Sequence, residues 1–306
     1  MKKGKYLITG CAGFIGSNLV KKLYKEYDLI LVDDLSEGSV KNLPKSLRKK
    51  LIKKKIQDIE KFNTKRINGI FHLAAQASVP LSLKDFYKSS SNNLLSSMKI
   101  FEFSKKYSAP VVYASSSAIY GNLPLGKDEI EKYSILSPYA QDKLAVEKYA
   151  KMFFDVFKVS SVGLRLFNVY GPGQNATSPY SGVIPIFIYK TLKNSSVIIN
   201  GGFQTRDFIY IDDVIDVMKK SMFKLQKKNI CKIFNLGTGR SININKLFLL
   251  IKEIIGNNPK VIRKKLEKHD PKKSSGTFDK LKNFLNLKKD SFTKIEDGLI
   301  KTINYS

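Results

Sequence analysis

Tryptophan is absent, and 306 residues hold only two cysteines and two histidines. Cys11 and Cys231 supply no disulfide framework, and His72 and His269 are too few for a nitrogen-ligated metal site, so neither a disulfide nor a metal is expected. No apolar run approaches the roughly 18 residues of a membrane span. Met1-Lys2-Lys3-Gly4 also leads straight into a strand without a signal-peptide core. A cytoplasmic protein with no membrane partner is expected. Acidic residues are scarce: 26 Asp and Glu against 54 Lys and Arg leave a net charge of +28. Runs such as 48–55 could bind nucleic acid, yet the excess is nearly all lysine, spread along the chain, without interleaved aromatics on which bases stack. Nucleic acid is therefore not expected as a partner, while the field would help to draw in anionic substrates.

What is present begins with a strand, a glycine turn and a helix. Tyr6-Leu7-Ile8-Thr9 reads as a short buried strand, Gly10-Cys11-Ala12-Gly13-Phe14-Ile15-Gly16 as a tight turn, and Ser17 to Tyr24 as the start of an amphipathic helix. Glycines at 10, 13 and 16 permit a sharp turn, close approach of backbone amides to a pyrophosphate, and close packing of helix on strand. A second strand, Leu29-Ile30-Leu31-Val32, ends in Asp33, where a dinucleotide site needs an acceptor for the adenosine ribose hydroxyls. A carboxylate there repels a 2′-phosphate, which favours NAD over NADP. The alternative is a turn that serves packing, with Asp33 capping the next loop.

Tyr139 and Lys143 lie four residues apart, downstream of Ser115-Ser116-Ser117. On a helix such residues share one face. A phenol with a reference pKa near 10 can act as a base at neutral pH only where a cation favours its phenolate, and Lys143 is placed to do so. With 15 tyrosines and many lysines such a pair also arises by chance, and Tyr149 and Phe153 on the same stretch can simply pack.

Strand-like runs at 69–73, 111–113 and 161–166 alternate with helical stretches at 93–107 and 139–157. The fold class expected is α/β, a Rossmann-type doubly wound parallel sheet with a smaller C-terminal substrate-binding region. The NAD-binding domain is placed at 1–172 and the second region at 173–306, with some segments of the latter returning to the first. Ligands of such sheets bind beyond the carboxyl ends of the strands, where serines 115–117 fall.

Taken together, Thr9 to Ser17, His72 to Pro80, Ser115 to Gly121, Ser137-Pro138-Tyr139 with Lys143, Leu164 to Gly173 and Arg206 to Val214 resemble the extended short-chain dehydrogenase/reductases, and within them the UDP-sugar 4-epimerases. The resemblance covers essentially the whole chain. The related 4,6-dehydratases carry Asp and Glu after the catalytic Ser/Thr, whereas Ser116 is followed here by Ser117 and Ala118, which supply neither acid nor base. Decarboxylases tend to have Glu at the position of Ala118.

The resemblance implies NAD as a recycled cofactor, with Ser116, Tyr139 and Lys143 as catalytic residues acting on a UDP-hexose at C4. Other sugar-nucleotide chemistry of the same fold, such as UDP-glucuronate epimerisation or decarboxylation or dTDP-glucose 4,6-dehydration, is the alternative. It implies cofactor contacts from Gly10, Gly13, Phe14, Ile15, Gly16 and Asp33, from Asp58 and Ile59 near the adenine, and from Ala74, Ala75 and Gln76. Tyr139 and Lys143 also touch the cofactor in this scheme. Substrate contacts are implied for Ser78, Ser116, Ser117, Asn168, Val183, Arg206 and Ser274. Arg206 has a bland alternative, a surface pair with Asp207; Asp212, Asp213 and Asp216 resemble paired catalytic carboxylates, but their place at a helix start favours capping. The family's Arg-x-Gly-Asp segment is replaced by Glu267-Lys268-His269-Asp270, so a second phosphate-binding arginine is missing and Lys265 or Lys268 is the candidate substitute. Ser274 is small where the family has a residue beside the sugar 2-substituent, which implies that N-acetyl sugars fit. A homodimer joined by the helices near 93–107 and 139–157 is the expected assembly.

Overall fold

The first strand forms where an apolar run has nothing to interrupt it, and it stops where glycine allows the chain to reverse. The computed structural model describes residues 3–177, 181–266, 270–288 and 290–305. In chain order the elements are β1 (Lys5–Thr9), α1 (Phe14–Leu23), β2 (Asp28–Val32), β3 (Leu51–Ile52), β4 (Gly69–His72), α2 (Val79–Lys84), α3 (Phe86–Ser90), a π-helical turn (Ser91–Leu95), α4 (Ser96–Tyr107), β5 (Val111–Ser116), α5 (Pro138–Phe157) and β6 (Ser161–Leu166). There follow β7 (Asn168–Tyr170), α6 (Val183–Leu192), β8 (Val197–Asn200), β9 (Thr205–Tyr210), α7 (Ile211–Leu225), β10 (Cys231–Leu236), β11 (Ser241–Asn243), α8 (Ile244–Ile255), β12 (Val261–Lys264), β13 (Lys273–Ser274), α9 (Asp279–Leu285) and α10 (Ile295–Ile303).

Among the described residues the main sheet has seven strands in the order β10-β6-β5-β4-β1-β2-β3. β1 pairs in parallel with both β2 and β4, and the chain order reverses between β1 and β4, the place where a doubly wound sheet opens a crevice. The fold is thus the α/β Rossmann type expected. Leu7, Ile70 and Val111 of three adjacent strands pack with Ile100 and Phe103 of α4 and Val146 of α5, all buried. Phe101 stacks on Phe153 at 5.4 Å. Each such side chain contributes about 1.5–3 kcal/mol on burial.

The chain forms two compact units that interleave: 1–119 with 137–165 and 215–234, and 120–136 with 166–214 and 235–306. The sequence reading put one break after 172. Segment 215–234 returns to the first unit because the chain beside β10 reaches the main sheet, where Ser161 N donates to Ile230 O at 2.9 Å. In the second unit β9 pairs with β7, β11 and β13, and a separate parallel pair joins β8 to β12. Phe187 of α6 meets Phe248 of α8 edge to face at 5.3 Å.

Candidate active site

Gly10 ends β1 with φ +67, and a Cβ there would lie 2.6 Å from Ala74 N, so only glycine lets the turn press against the end of β4. At Gly16 a Cβ would come within 2.0 Å of Gly10 O, which makes this glycine the condition for α1 to start directly behind the turn. Gly13 is the N-cap of α1, and no side chain caps it. An uncapped helix start beside a glycine turn is a seat for a phosphate group. Phe14 and Ile15 are the first residues of that helix.

Asp33 continues from β2 and its carboxylate is shared between two jobs. Oδ2 accepts from Ala12 N and Oδ1 from Leu35 N, each at 2.8 Å, so it braces the glycine turn as well as facing the cleft. Burial raises its pKa, and these backbone donors oppose the rise. Gly10, Gly13, Asp33, Ala74, Ala75 and Gln76 line one cleft in the first unit. Its far wall differs from expectation. Ile56 and Gln57 line it, while Asp58 is exposed and Ile59, like Ile56 itself, belongs to the buried core but is not part of the lining. The segment Ile56–Asp58 is a single 3-10 turn. Asp34, Glu37 and Lys54, which the sequence reading did not single out, complete the rim.

β5 runs three residues beyond its apolar core and delivers Ser116 as its last residue, with Ser117 opening a 3-10 turn. Ser137 caps α5 by accepting from Ala140 N at 3.2 Å, and Pro138 begins the helix, so Tyr139 and Lys143 fall on its first turns. Ser116 hydrogen-bonds the Tyr139 hydroxyl. Lys143 Nζ donates to Ala114 O at 2.8 Å and lies 5.7 Å from the Tyr139 ring centre. Burial lowers the Lys143 pKa to about 8, opposed by the charges of Asp142 and Glu147. Burial raises the Tyr139 pKa, and the Ser116 hydrogen bond opposes that. The phenol is thus in its acid form at neutral pH. Phe153, by contrast, packs in the core, as its bland reading required.

In the second unit a cavity of about 420 Å³ is lined by Asn168, Gln174, Val183, Phe187, Arg206 and Asp270 among others. Val183 starts α6, whose Gly182 N-cap gives no side-chain hydrogen bond. Asn168 Nδ2 donates to Asp207 O at 2.9 Å. Arg206 pairs through Nη2 with Asp270 Oδ1, and not with Asp207 as its bland alternative supposed. The Asp207 carboxylate is fully buried and accepts from Thr238 and Gly239 amides instead. Ser274 is the register partner of Arg206 across β13 and β9 but lies outside the cavity lining. Ser78 acts as the N-cap of α2, accepting from Leu81 N at 3.2 Å. Asp212 and Asp213 lie in the first turn of α7, where their charge suits the helix N-terminus, and Asp213 accepts from the distant Thr293 N at 2.8 Å, a tertiary contact and not a cap. Residues 267–269, including Lys268, lie outside the described residues; Lys265 is exposed.

The family model described as NAD dependent epimerase/dehydratase matches residues 6–237. The chain belongs to that family. Its members include a Methanocaldococcus jannaschii protein provisionally named a UDP-glucose 4-epimerase, 40% identical over 261 residues, 82% of each chain. A solved UDP-N-acetylglucosamine 4-epimerase from Methanobrevibacter ruminantium M1, in complex with UDP-N-acetylmuramic acid, is 34% identical with a TM-score of 0.91, covering 100% of this chain and 98% of that one. The UDP-glucose 4-epimerase of Thermotoga maritima, solved with UDP-glucose, is 34% identical with a TM-score of 0.89 and 98% coverage of both. This chain is accordingly an enzyme of the isomerase class, and its cofactor is NAD. The uncapped α1 start, the glycine at 13 with only Gly10 O within 4 Å of its Cβ position, and the Asp33 carboxylate fit a dinucleotide.

The epimerase site also contains a residue that sequence reasoning missed. Asn93, in the π-helical turn, accepts from Gln76 N at 2.8 Å and donates to Gln76 O at 3.2 Å and Asp142 Oδ2 at 3.4 Å. It thereby ties the cofactor loop to α5. The polar run 89–93 at the head of an otherwise amphipathic helix was the available signal, since a buried asparagine needs several partners. His72 is buried between Thr9 Oγ1 at 2.8 Å and Ser97 Oγ at 2.9 Å, with its pKa pushed down to about 3 by burial and by Lys143, so it is a neutral structural bridge. Among the described residues no cluster of His, Cys, Asp or Glu is arranged to hold a metal, and no helix is long and apolar enough to cross a membrane.

Proposed function

We propose that the enzyme epimerises a UDP-hexose at C4 through a transient 4-keto sugar, with UDP-glucose and UDP-galactose, and their N-acetyl counterparts, as substrates. The observation that carries this reading is the Ser116, Tyr139 and Lys143 constellation followed by Ser117 and Ala118. Base and hydroxyl are present for oxidation at one carbon, and no adjacent side chain supplies the acid and base that loss of water across two carbons requires.

Bound NAD, held by the glycine turn and Asp33, would supply the acceptor for the C4 hydride and the source from which it is restored to the other face of the sugar. Tyr139 as phenolate accepts the proton of the sugar 4-hydroxyl and later gives it back. Ser116 hydrogen-bonds the reacting oxygen as charge develops on it. Lys143, whose Nζ lies 5.7 Å from the Tyr139 ring centre, favours the phenolate: a unit charge at about that separation contributes on the order of 3 kcal/mol at an effective dielectric of about 20. A buried phenol needs more than that at neutral pH, so the base is armed only when the cofactor is in place.

In the second unit, Arg206 and Asn168 are assigned to the diphosphate and the Val183 end of α6 to the uracil side. Ser274, a small residue, is assigned to the sugar 2-substituent. A relative that spans this chain almost completely, the UDP-glucuronate 4-epimerase of Thermodesulfobacterium geofontis, 31% identical over 320 residues, favours UDP-glucuronate as the second candidate for the same C4 chemistry. A homodimer is the proposed assembly. Leu95, Met152 and Val156, 50%, 38% and 62% exposed, are apolar surface on the stretches that would meet. Purified protein incubated without added NAD with UDP-glucose, UDP-N-acetylglucosamine and UDP-glucuronate tests the reading. An epimer of unchanged mass supports it, whereas a product lacking water or carbon dioxide refutes it.

A further inference from the structure

One face of α5 meets the last three residues of β5 one contact at a time. Ala114 O accepts from Lys143 Nζ at 2.8 Å, Ser115 Oγ donates to Glu147 Oε1 at 2.5 Å, and Ser116 hydrogen-bonds Tyr139. Tyr139, Lys143 and Glu147 stand at successive i+4 steps, so the catalytic pair and the glutamate form one row. Glu147 is in turn gripped from β6. Arg165 Nε donates to Oε1 at 2.9 Å and Nη2 to Oε2 at 2.7 Å, with side chains only 4% and 2% exposed. A two-pronged, buried pair of this kind is geometrically exacting, and it costs stability unless every donor is satisfied.

We propose that Glu147 is a positioning residue for the reaction: clamped by Arg165 and Ser115, it sets the height of α5 against β5, and its carboxylate places negative charge one turn from the Lys143 ammonium. Alternation of side chains along β5 is what makes this possible, because Ser115 points to the opposite side of the strand from the reacting Ser116. The proposal rests on the functional reading above for the reaction that Lys143 serves.

The groups that act on Lys143 are Asp142, Glu147 and Tyr139 on its own helix and His72 on β4. Tyr113 on β5 and Arg165 on β6 interact with the glutamate. His72 is neutral at working pH, and Arg165 is neutralised by Glu147. Removing the Glu147 charge therefore leaves Asp142 as the single carboxylate favouring the ammonium, and Lys143 gives up its proton at lower pH.

The test uses full-length enzyme carrying 13C-labelled lysine, with Glu147→Gln and Glu147→Asp compared with wild type. The Lys143 signal, assigned by its loss in Lys143→Met, should titrate near pH 8 in wild type. In Glu147→Gln it should move down by on the order of one pH unit, and the alkaline limb of turnover should move with it. Turnover should fall on the order of 10- to 100-fold with KM within about twofold, as expected for a displaced catalytic helix. Glu147→Asp retains the charge, so it should restore the titration while remaining slower than wild type. If Glu147→Gln does not fold, Ser115→Ala serves instead: it removes the strand-to-helix link alone and should cut turnover several-fold without moving the pH profile. An unmoved Lys143 titration in folded Glu147→Gln, or full turnover in Ser115→Ala, overturns the proposal. The titration needs no substrate. Wild-type protein inactive on every UDP-sugar would therefore count against the functional reading and not against the charge placement at Lys143.

Discussion

The glycine turn supports a contrast between two substitutions that look alike in sequence. A methyl at Gly16 would sit 2.0 Å from Gly10 O, 2.8 Å from Gly10 C and 2.9 Å from Cys11 Cα, all backbone atoms. Ordinary contact begins near 3.4 Å, so turn and helix must separate by roughly 1.4 Å, and no rotamer change can relieve them. Overpacking of this kind costs about 1–3 kcal/mol, and a backbone clash belongs at the upper end. A methyl at Gly13 meets only Gly10 O, at 3.4 Å, and its φ of −75 is open to alanine. Gly13→Ala should therefore lose no more than the modest N-cap preference, under about 1 kcal/mol. It nevertheless places a methyl where a pyrophosphate must approach the amides of α1. Urea unfolding and the NAD content of purified protein measure both effects. Gly16→Ala should be destabilised by about 3 kcal/mol and hold little NAD, whereas Gly13→Ala should unfold near wild type and still hold little. Gly16→Ala with wild-type stability and bound NAD would refute the packing argument. Gly13→Ala retaining full NAD would refute the assignment of the pyrophosphate to this turn.

Other consequences follow from the site's electrostatics. Lys143 has its pKa lowered from 10.5 to about 8, so the unfolded chain binds the extra proton between those values and stability rises with pH across that window. The burial penalty is therefore full below about pH 8, roughly 3 kcal/mol. Lys143→Met should remove it, giving a protein without turnover that melts higher than wild type at pH 7 but no higher by pH 10.5. Equal melting at pH 7 would show that the Ala114 hydrogen bond already offsets the penalty. Asp33→Ser removes a charged acceptor and should weaken NAD binding by about 10- to 100-fold while narrowing the preference over NADP, read by titration calorimetry. Ser274→Tyr should depress turnover of UDP-N-acetylglucosamine more than that of UDP-glucose. Equal loss on both would remove Ser274 from the sugar site.

Much of this was legible because it is local. The apolar run before Gly10, the i, i+4 pair at 139 and 143, and the end of β6 at Leu166 each follow from a few neighbouring residues, and the structure places them within a residue or two of the reading. Ser116 stands apart from its neighbouring serines because strand alternation turns Ser115 away, toward Glu147. What escaped depends on partners remote in sequence. Arg206 meets Asp270 from 64 positions away, and Asn93 reaches Asp142 from 49. At 56–59 the cleft lining takes Ile56 and Gln57 of a 3-10 turn, beside the Asp58 and Ile59 singled out from the resemblance, and no hydrophobic period marks so short a segment. That segments of the second region return to the first was expected, but which ones, 215–234, and that 120–136 belong to the second unit, were not legible, since strand order is settled by packing of the whole sheet.

The central claim is that Tyr139 is the base of a reversible oxidation at C4 with a retained cofactor. Its most direct test is incubation of wild type and Tyr139→Phe with UDP-glucose labelled with deuterium at C4, without added NAD. Wild type should form UDP-galactose of unchanged mass with the deuterium kept at C4, and Tyr139→Phe, still binding NAD, should form it at least 100-fold more slowly. Loss of the label to solvent, or undiminished epimer formation by Tyr139→Phe, would contradict the mechanism.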